Sequence, residues 1–394
     1  MKALRDETMM LKSPFHSRIE LANELNEWDG WAGYTTPVAY TDVEMEYFAI
    51  RNSTGVFDLT PMTKYRITGP DAEAYLNRLM TRDVSKIRLD RVGYVIWCDD
   101  GGKVMDDGTL FHLGENDYRL CSYTRALDWM LWAAMGFDVQ IVDETSEVAA
   151  LAVQGPTSCA TLLAMGLQGL EQLKPFGILR FPFAGGELMV SRTGFTGDLG
   201  YELWIDPSLA EELWDQLFAA GKHYMIKAFG SSALEMARIE TGFLQAGVDF
   251  VPAEETVRLG RSRSPYELGL GWLVDLSKPV FNGRKALLKE SKSGSEYRFV
   301  FLDVEGNKPA DNSFVLVGEK QVGTVTSAAW CPTAKSNVAF AQVEARYARV
   351  GQQLTAEIYY QRELHWTRLL AKCTVVEGAP FNPPRRRQTP APMM

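Results

Sequence analysis

Histidine and cysteine are sparse in this chain: four of one and five of the other in 394 residues. His16, His112, His223 and His365 are scattered, no HExxH occurs, and no His/Cys cluster has zinc-ligand spacing, so no metal site is expected. Cys98, Cys121, Cys159, Cys331 and Cys373 are odd in number and contain no CxxC pair. That pattern fits free thiols in a reducing compartment rather than a disulfide framework. Missing too is any apolar run near the roughly 18 residues that cross a bilayer, so no membrane partner is expected. Positive charge does not dominate: 41 Lys+Arg stand against 50 Asp+Glu, a formal net charge of −9. Such a balance argues against a nucleic-acid partner, which needs a basic surface. No Walker A run and no GxGxxG is found. The opening MKALRDETMMLKSPFHSR has no signal-type apolar core, and the expected location is cytoplasmic.

What remains is ordinary for a globular protein: 46% hydrophobic and 23% charged residues, with length for two or three units and a large core. With so few histidines, an enzyme built on this chain is expected to use mostly carboxylates and tyrosines as its acid–base groups.

The local patterns alternate strand and helix as far as about residue 245. Residues 41–54 read as a helix capped by Thr41 or Asp42. KYRITG (64–69) alternates like a strand, and PDAEAYLNRLM (70–80) opens a helix on proline. VGYVIWC (92–98), the turn DDGG (99–102) and KVMDDGTLFHL (103–113) read as a hairpin, and DYRLCS (117–122) as a third strand. A helix near 124–135, a strand and turn at 147–156 and a helix at 157–165 follow. ELMVSR (187–192) and YELWID (201–206) read as strands around the glycine-rich TGFTGDLG (193–200). Helices are expected at 208–221, with a Ser208/Glu211 capping box, and at 231–242. Beyond about 295 short strands and turns suggest a small all-β unit. The tail from residue 380 is rich in Pro and Arg and reads as disordered.

Two adjacent acids, Asp106 and Asp107, stand in the hairpin's second strand. Strands disfavour aspartate, and successive residues face opposite sides, so one of the two is expected to point inward. Alternation puts Asp107 on the face of Met105, Thr109 and Phe111. The ordinary reading of such a pair is an edge acid that discourages aggregation.

The motifs, taken in order, resemble the folate-dependent aminomethyltransferase family, the T-protein of the glycine cleavage system and its relatives. SPFHSR (13–18), WDGWAGYTTPVAY (28–40) and RNSTGVFDLTPM (51–62) are similar to its opening segments. DDGGKVMDD (99–107) looks like its GGxxDD hairpin. LAVQGP (151–156), GFTGDLGYEL (194–203), LGLGWLVDLSKPVFNGRKAL (268–287) and GTVTSAAWCP (323–332) match in type and order. The resemblance implies an α+β, three-part, ring-like fold with a central tetrahydrofolate channel and a C-terminal β barrel. It implies a folate-binding catalytic region over residues 1–290 made of two interleaved subdomains, a barrel over 291–380, and a disordered tail over 381–394. Asp107 maps to the family's catalytic carboxylate near N5 and N10 of the pterin, and Glu202 to the glutamate that holds the pterin ring. Tyr94 lies about where some members place a folate-contacting tyrosine. Asp106 is expected as an outward or a structural neighbour, or as a further cofactor contact.

The chain departs from the T-protein pattern in KAFGSSALEMARIETG (227–242). There Leu234 replaces a folate-binding arginine, while Arg238 remains as a structural arginine of the helix. The departures look more like family branches that demethylate small molecules, such as dimethylsulfoniopropionate demethylases and aromatic O-demethylases. The first expectation is therefore a methyltransferase that moves a methyl group from a small methylated substrate to N5 of tetrahydrofolate. S-, N- and O-methyl donors stay open. The second is the glycine-cleavage aminomethyltransferase, which works on a lipoyl carrier protein. The third is a non-enzymatic, folate-binding iron–sulfur assembly factor, which RIETGFLQAGVDF (238–250) speaks against by carrying no cysteine.

Overall fold

The computed structural model describes residues 10–388. The first nine residues, part of the opening that shows no signal-type apolar core, lie outside the described residues. So do the last six of the Pro/Arg-rich tail. Three β bodies organise the chain. The first is a five-stranded antiparallel sheet in the order Arg91–Cys98, Val104–Gly114, Asp117–Ser122, Thr63–Thr68, Gln140–Asp143. The second has six strands, Ile178–Phe183, Gly186–Ser191, Gly200–Ile205, Ala149–Gln154, Gly55–Asp58 and Lys227–Ala228, with only the last pair parallel. The third is a closed six-stranded barrel running from Tyr297–Val304 to His365–Val376. The helix Arg284–Ser293 spans the expected boundary at residue 290, and the barrel begins after it.

Local chemistry accounts for most elements. Asp42 caps the helix Val43–Asn52 by accepting from Met45 N at 2.9 Å. The helix Ala72–Leu79 buries Ala72, Tyr75, Leu76 and Leu79, spaced three and four apart, against Val95, Trp97 and Leu110 of the five-stranded sheet. Its C-terminal carbonyls find a donor far away in sequence: Lys278 Nζ donates to Asn77 O, Met80 O and Arg82 O at 2.7–2.8 Å. The hairpin turn closes as its residues predict, with Gly102 at φ 74 and Lys103 N donating to Asp99 Oδ1 at 2.8 Å.

Four features differ from the expectations. Gly55–Asp58 is a strand with all four residues buried. Such a strand shows no alternation for a periodicity argument to find. Glu27–Trp31 and Tyr34–Ala39 form an unforeseen two-stranded hairpin. The Ser208/Glu211 capping box does not form; Asp206 instead accepts from Ser208 N at 2.8 Å and sets a 3₁₀ turn ahead of the helix Ala210–Ala220. The tail is docked, not loose, from Phe381 to Gln388. Arg385 makes a two-pronged contact with buried Asp198 at 2.6 and 2.7 Å, and Phe381 N donates to Glu240 O at 3.1 Å. Composition indicated disorder, but a buried carboxylate in the glycine-rich loop supplies the partner that fixes the arginine.

The two open sheets meet face to face. Val92, Phe111 and Cys121 of one pack against Ala152, Met189 and Trp204 of the other. The rings of Phe111 and Trp204 meet edge to face at 5.0 Å between centroids. Among the described residues no helix is long and apolar enough to cross a membrane.

Candidate active site

The hairpin register pairs Ile96 with Asp107 and Trp97 with Asp106, and a bulge between Trp97 and Cys98 takes up Met105. The bulge resets the alternation on its N-terminal side. Met105 therefore joins the helix-side core with Trp97 and Val95, not the face of Asp107 as simple alternation predicts. Beyond the bulge alternation holds. Tyr94, Asp107, Thr109 and Phe111 share one face, whose Phe111 end meets the six-stranded sheet while Tyr94 and Ile96 pack with Leu268, Phe281 and Phe340. Tyr94 Oη donates to Asp107 Oδ2 at 2.6 Å, so two neighbouring strands hold one carboxylate in place.

Asp106 points the other way and is 1% exposed. Its Oδ2 accepts from Thr124 N at 3.0 Å and from Thr124 Oγ1, and its Oδ1 accepts from Asp107 N at 2.9 Å. Asp106 is therefore not outward-facing, which corrects that expectation; its three hydrogen bonds give it the structural role, fixing the strand that carries Asp107 and the turn at Thr124.

The two acids differ in how their charge is supported. Burial raises both above the ordinary carboxylate range. Three hydrogen bonds favour the anion at Asp106. At Asp107 the charge of Asp106 raises the pKa further, and Tyr94 is the one side chain among the described residues that donates to it. Of the pair, Asp107 is the group prone to take up a proton. Tyr94, desolvated and beside that carboxylate, is pushed well above the usual tyrosine range and stays a donor.

Glu202 sits in the strand Gly200–Ile205, opposite Ser191 and Ala152. Thr193 Oγ1 donates to its Oε2 at 2.5 Å and Ser191 Oγ at 3.4 Å. Trp204 Nε1 donates to Ser191 Oγ at 3.0 Å and completes the support. Both bonds reach Oε2; Oε1 accepts none among the described residues. Burial pushes the Glu202 carboxyl up to about 7. Alternation places Glu202, like Trp204, on the face that meets the five-stranded sheet. Asp107 and Glu202 are thus carried on the sides of their two sheets that turn toward the space between them.

Leu234 packs beside this space with Ala233 and Ala237 and brings no charge to it. Arg238 is fully buried and bound to Glu235, Asp249 and Ser327, a structural arginine as its place in the helix predicts. Sequence reasoning missed Thr124, the Ser191–Thr193 pair and Asp249. Thr124 and Asp249 are joined to the site only by the tertiary fold. Ser191 and Thr193 stand two apart, the spacing of one strand face, but nothing local ties them to Glu202.

The fold and site define a class: two open sheets packed face to face, followed by a C-terminal barrel, with a desolvated carboxylate carried by each sheet. Residues 22–278 match the GCVT N-terminal domain and residues 298–374 the glycine cleavage T-protein C-terminal barrel domain. The chain belongs to this aminomethyltransferase family. An aminomethyltransferase of Caldanaerobacter subterraneus subsp. tengcongensis is 32% identical over 330 residues, covering 82% of this chain and 86% of its own length. One from Halothermothrix orenii is 30% identical over 352 residues, covering 88% and 95%. The crystal structure of aminomethyltransferase T of the Bartonella henselae glycine cleavage system superposes with a TM-score of 0.82 at 23% identity, covering 95% of this chain and 98% of that one. That last likeness establishes the mixed α/β fold. Family membership makes this an enzyme, a folate-dependent one-carbon transferase, with tetrahydrofolate as cosubstrate.

The residues present fit that cosubstrate. A reduced pterin presents N–H donors, and Glu202 keeps an acceptor oxygen without a partner among the described residues, in a buried setting.

Proposed function

We propose that this chain transfers a one-carbon unit to tetrahydrofolate in the inter-sheet space, with Asp107 as the catalytic carboxylate and Glu202 as the pterin anchor. The observation that carries this is the 2.6 Å bond from Tyr94 to a half-buried Asp107 whose proton affinity is raised toward neutrality. Tetrahydrofolate, when bound, supplies the nucleophilic nitrogen that takes the one-carbon unit. The chain's part is to hold the pterin through Glu202, to keep bulk water out, and to accept a proton at Asp107. A carboxylate fixed by a neighbouring strand stabilises positive charge better than solvent, because its dipole needs no reorganisation. Tyr94 limits the rotation of Asp107 and lowers its proton affinity against the opposing effect of burial.

Two donors fit this reading. The names of the relatives support an aminomethyl unit and a 5,10-methylene product, made with a lipoyl carrier protein. Leu234, apolar where the T-protein pattern has arginine, supports a methyl unit from a small methylated substrate and a 5-methyl product. Mass spectrometry of the folate product, with carrier protein on one side and a panel of S-, N- and O-methyl compounds on the other, separates them. In the productive assay Asp107→Ala should keep the fold by circular dichroism and lower kcat at least ~100-fold, the scale of general acid–base assistance. Near-wild-type turnover removes Asp107 from the mechanism.

A further inference from the structure

Outside the edge strand Arg91–Cys98 lies a cleft of about 580 Å³, the size of sites that hold small molecules. Five cations line it, Arg82, Lys86, Arg88, Arg91 and Lys174, and no Asp or Glu does. In a chain of net charge −9 such a concentration is unusual. Lys86 is paired with Asp83 and Asp275 at 3.4 and 3.0 Å. The other four have no carboxylate partner among the described residues. Two are held in place by backbone. Arg82 Nη1 donates to Tyr94 O at 2.7 Å and Arg91 Nη2 to Pro175 O at 2.8 Å, leaving the other guanidinium donors for a ligand.

The rest of the lining is aromatic and open. Trp272 is 68% exposed and Phe176 43%. Phe176 stands at φ 59, a region disfavoured for an aromatic residue, held there by Val92 N donating to its carbonyl at 2.8 Å. Tyr94 closes the arrangement. It is one of the residues that line the cleft, its ring lies 6.1 Å from the Trp272 ring, and its hydroxyl hydrogen-bonds Asp107. The cleft and the proposed site share that one wall.

We propose that this cleft binds the one-carbon donor, and that the donor is a small carboxylate. This rests on the proposed transfer at Asp107. Unpaired guanidinium groups with fixed geometry recognise carboxylates through two parallel hydrogen bonds. Trp272 and Phe176 cover the donor's apolar part, and Tyr94 adjoins the end that carries the one-carbon group. The concave form and modest volume fit a small molecule better than the broad face of a carrier protein.

The test is calorimetric titration of the full chain with 4-methoxybenzoate and methoxyacetate, each beside its amide. It compares wild type with an Arg88→Ala/Lys174→Ala variant, since neither side chain has a hydrogen bond or ion pair among the described residues. The carboxylates should bind the wild type at least 10-fold more tightly than the amides. The variant should lose at least 10-fold in carboxylate affinity while its affinity for tetrahydrofolate and its melting temperature stay unchanged. Equal binding of acid and amide, no binding of either acid, or an unaffected variant overturns the proposal. Loss of tetrahydrofolate affinity in the variant also overturns it, by assigning the cleft to the cosubstrate's own carboxylates. Binding of an acidic lipoyl carrier without either small acid does the same. Cleft-dependent carboxylate binding with no one-carbon product on any folate upholds the anion site and removes the transfer reading.

Discussion

At the scale of single residues, the proposed site is two desolvated carboxylates held by hydroxyl donors. The proton affinity of Asp107 is set by opposing influences. Burial and the Asp106 charge raise it; the Tyr94 hydroxyl lowers it. If Asp107 must be ionised to accept a proton, activity is lost as pH falls through its raised pKa. Tyr94→Phe removes the lowering influence, so the acid limb of the kcat/KM profile should move to higher pH and kcat should fall. A limb that stays in place shows that another group controls it. Glu202 yields a stability prediction. Its folded pKa of about 7 exceeds the ordinary 4.5, so between those values the native state holds more protons than the unfolded chain. Stability therefore declines as pH rises from ~4.5 to ~7, and above 7 the buried charge costs at most about 3 kcal/mol. Glu202→Gln, whose amide oxygen can still accept from Thr193, should be more stable than wild type by about 1–3 kcal/mol at pH 8 and nearly equal to it at pH 5. Urea unfolding at the two pH values checks this. The same variant should bind tetrahydrofolate more weakly, since an anchoring acceptor becomes partly a donor.

At the scale of elements, contacts distant in sequence complete what local patterns begin. The hairpin carrying the site was legible because its turn chemistry and alternation are local, and the third strand, Asp117–Ser122, agrees with its expected limits. The bulge at Met105 was not legible. Which of two strands absorbs an extra residue depends on the partner's register. Asp106 shows the same limit: its place on the strand was readable, but its partner Thr124 lies 18 residues on, across a turn. The docked tail depends on a still more remote contact, 187 residues apart. Lys278 belongs to this group. One buried ammonium binds three carbonyls at the end of the helix Ala72–Leu79, about 200 residues away. Lys278→Met keeps the volume but leaves those carbonyls without their donor. It should cost about 2–3 kcal/mol, the range for hydrogen bonds to a charged group, read as a lower urea midpoint. A change within ~0.5 kcal/mol places the lysine outside the helix's support.

At the scale of the whole molecule, one buried acid ties the barrel to the helix that packs on the six-stranded sheet. Asp249 accepts from Arg238 Nη1 at 2.5 Å and from Gln245 N at 2.9 Å. It also accepts from Thr326 Oγ1 and Ser327 Oγ of the barrel, both at 2.7 Å. Arg238 lies in the helix Ser231–Thr241, which packs with Phe57 and Trp204 of the six-stranded sheet. Asp249 also adds to the electrostatic field that raises Asp107 in the five-stranded sheet. A carboxylate here therefore joins the barrel to the helix and acts on the proposed catalytic acid without touching it. Asp249→Asn leaves the fully buried Arg238 without its buried counter-charge, a loss that typically costs about 3–5 kcal/mol. Glu235 remains on the guanidinium, but it is partly exposed and compensates only in part. The unfolding midpoint should fall by that amount. In the surviving folded fraction the acid limb of the kcat/KM profile should move to lower pH, because a negative charge near Asp107 is gone. A surface role for Asp249 predicts neither change. Loss of stability with an unmoved pH profile would confine Asp249 to joining the bodies and leave the proton affinity of Asp107 to Asp106, Tyr94 and burial.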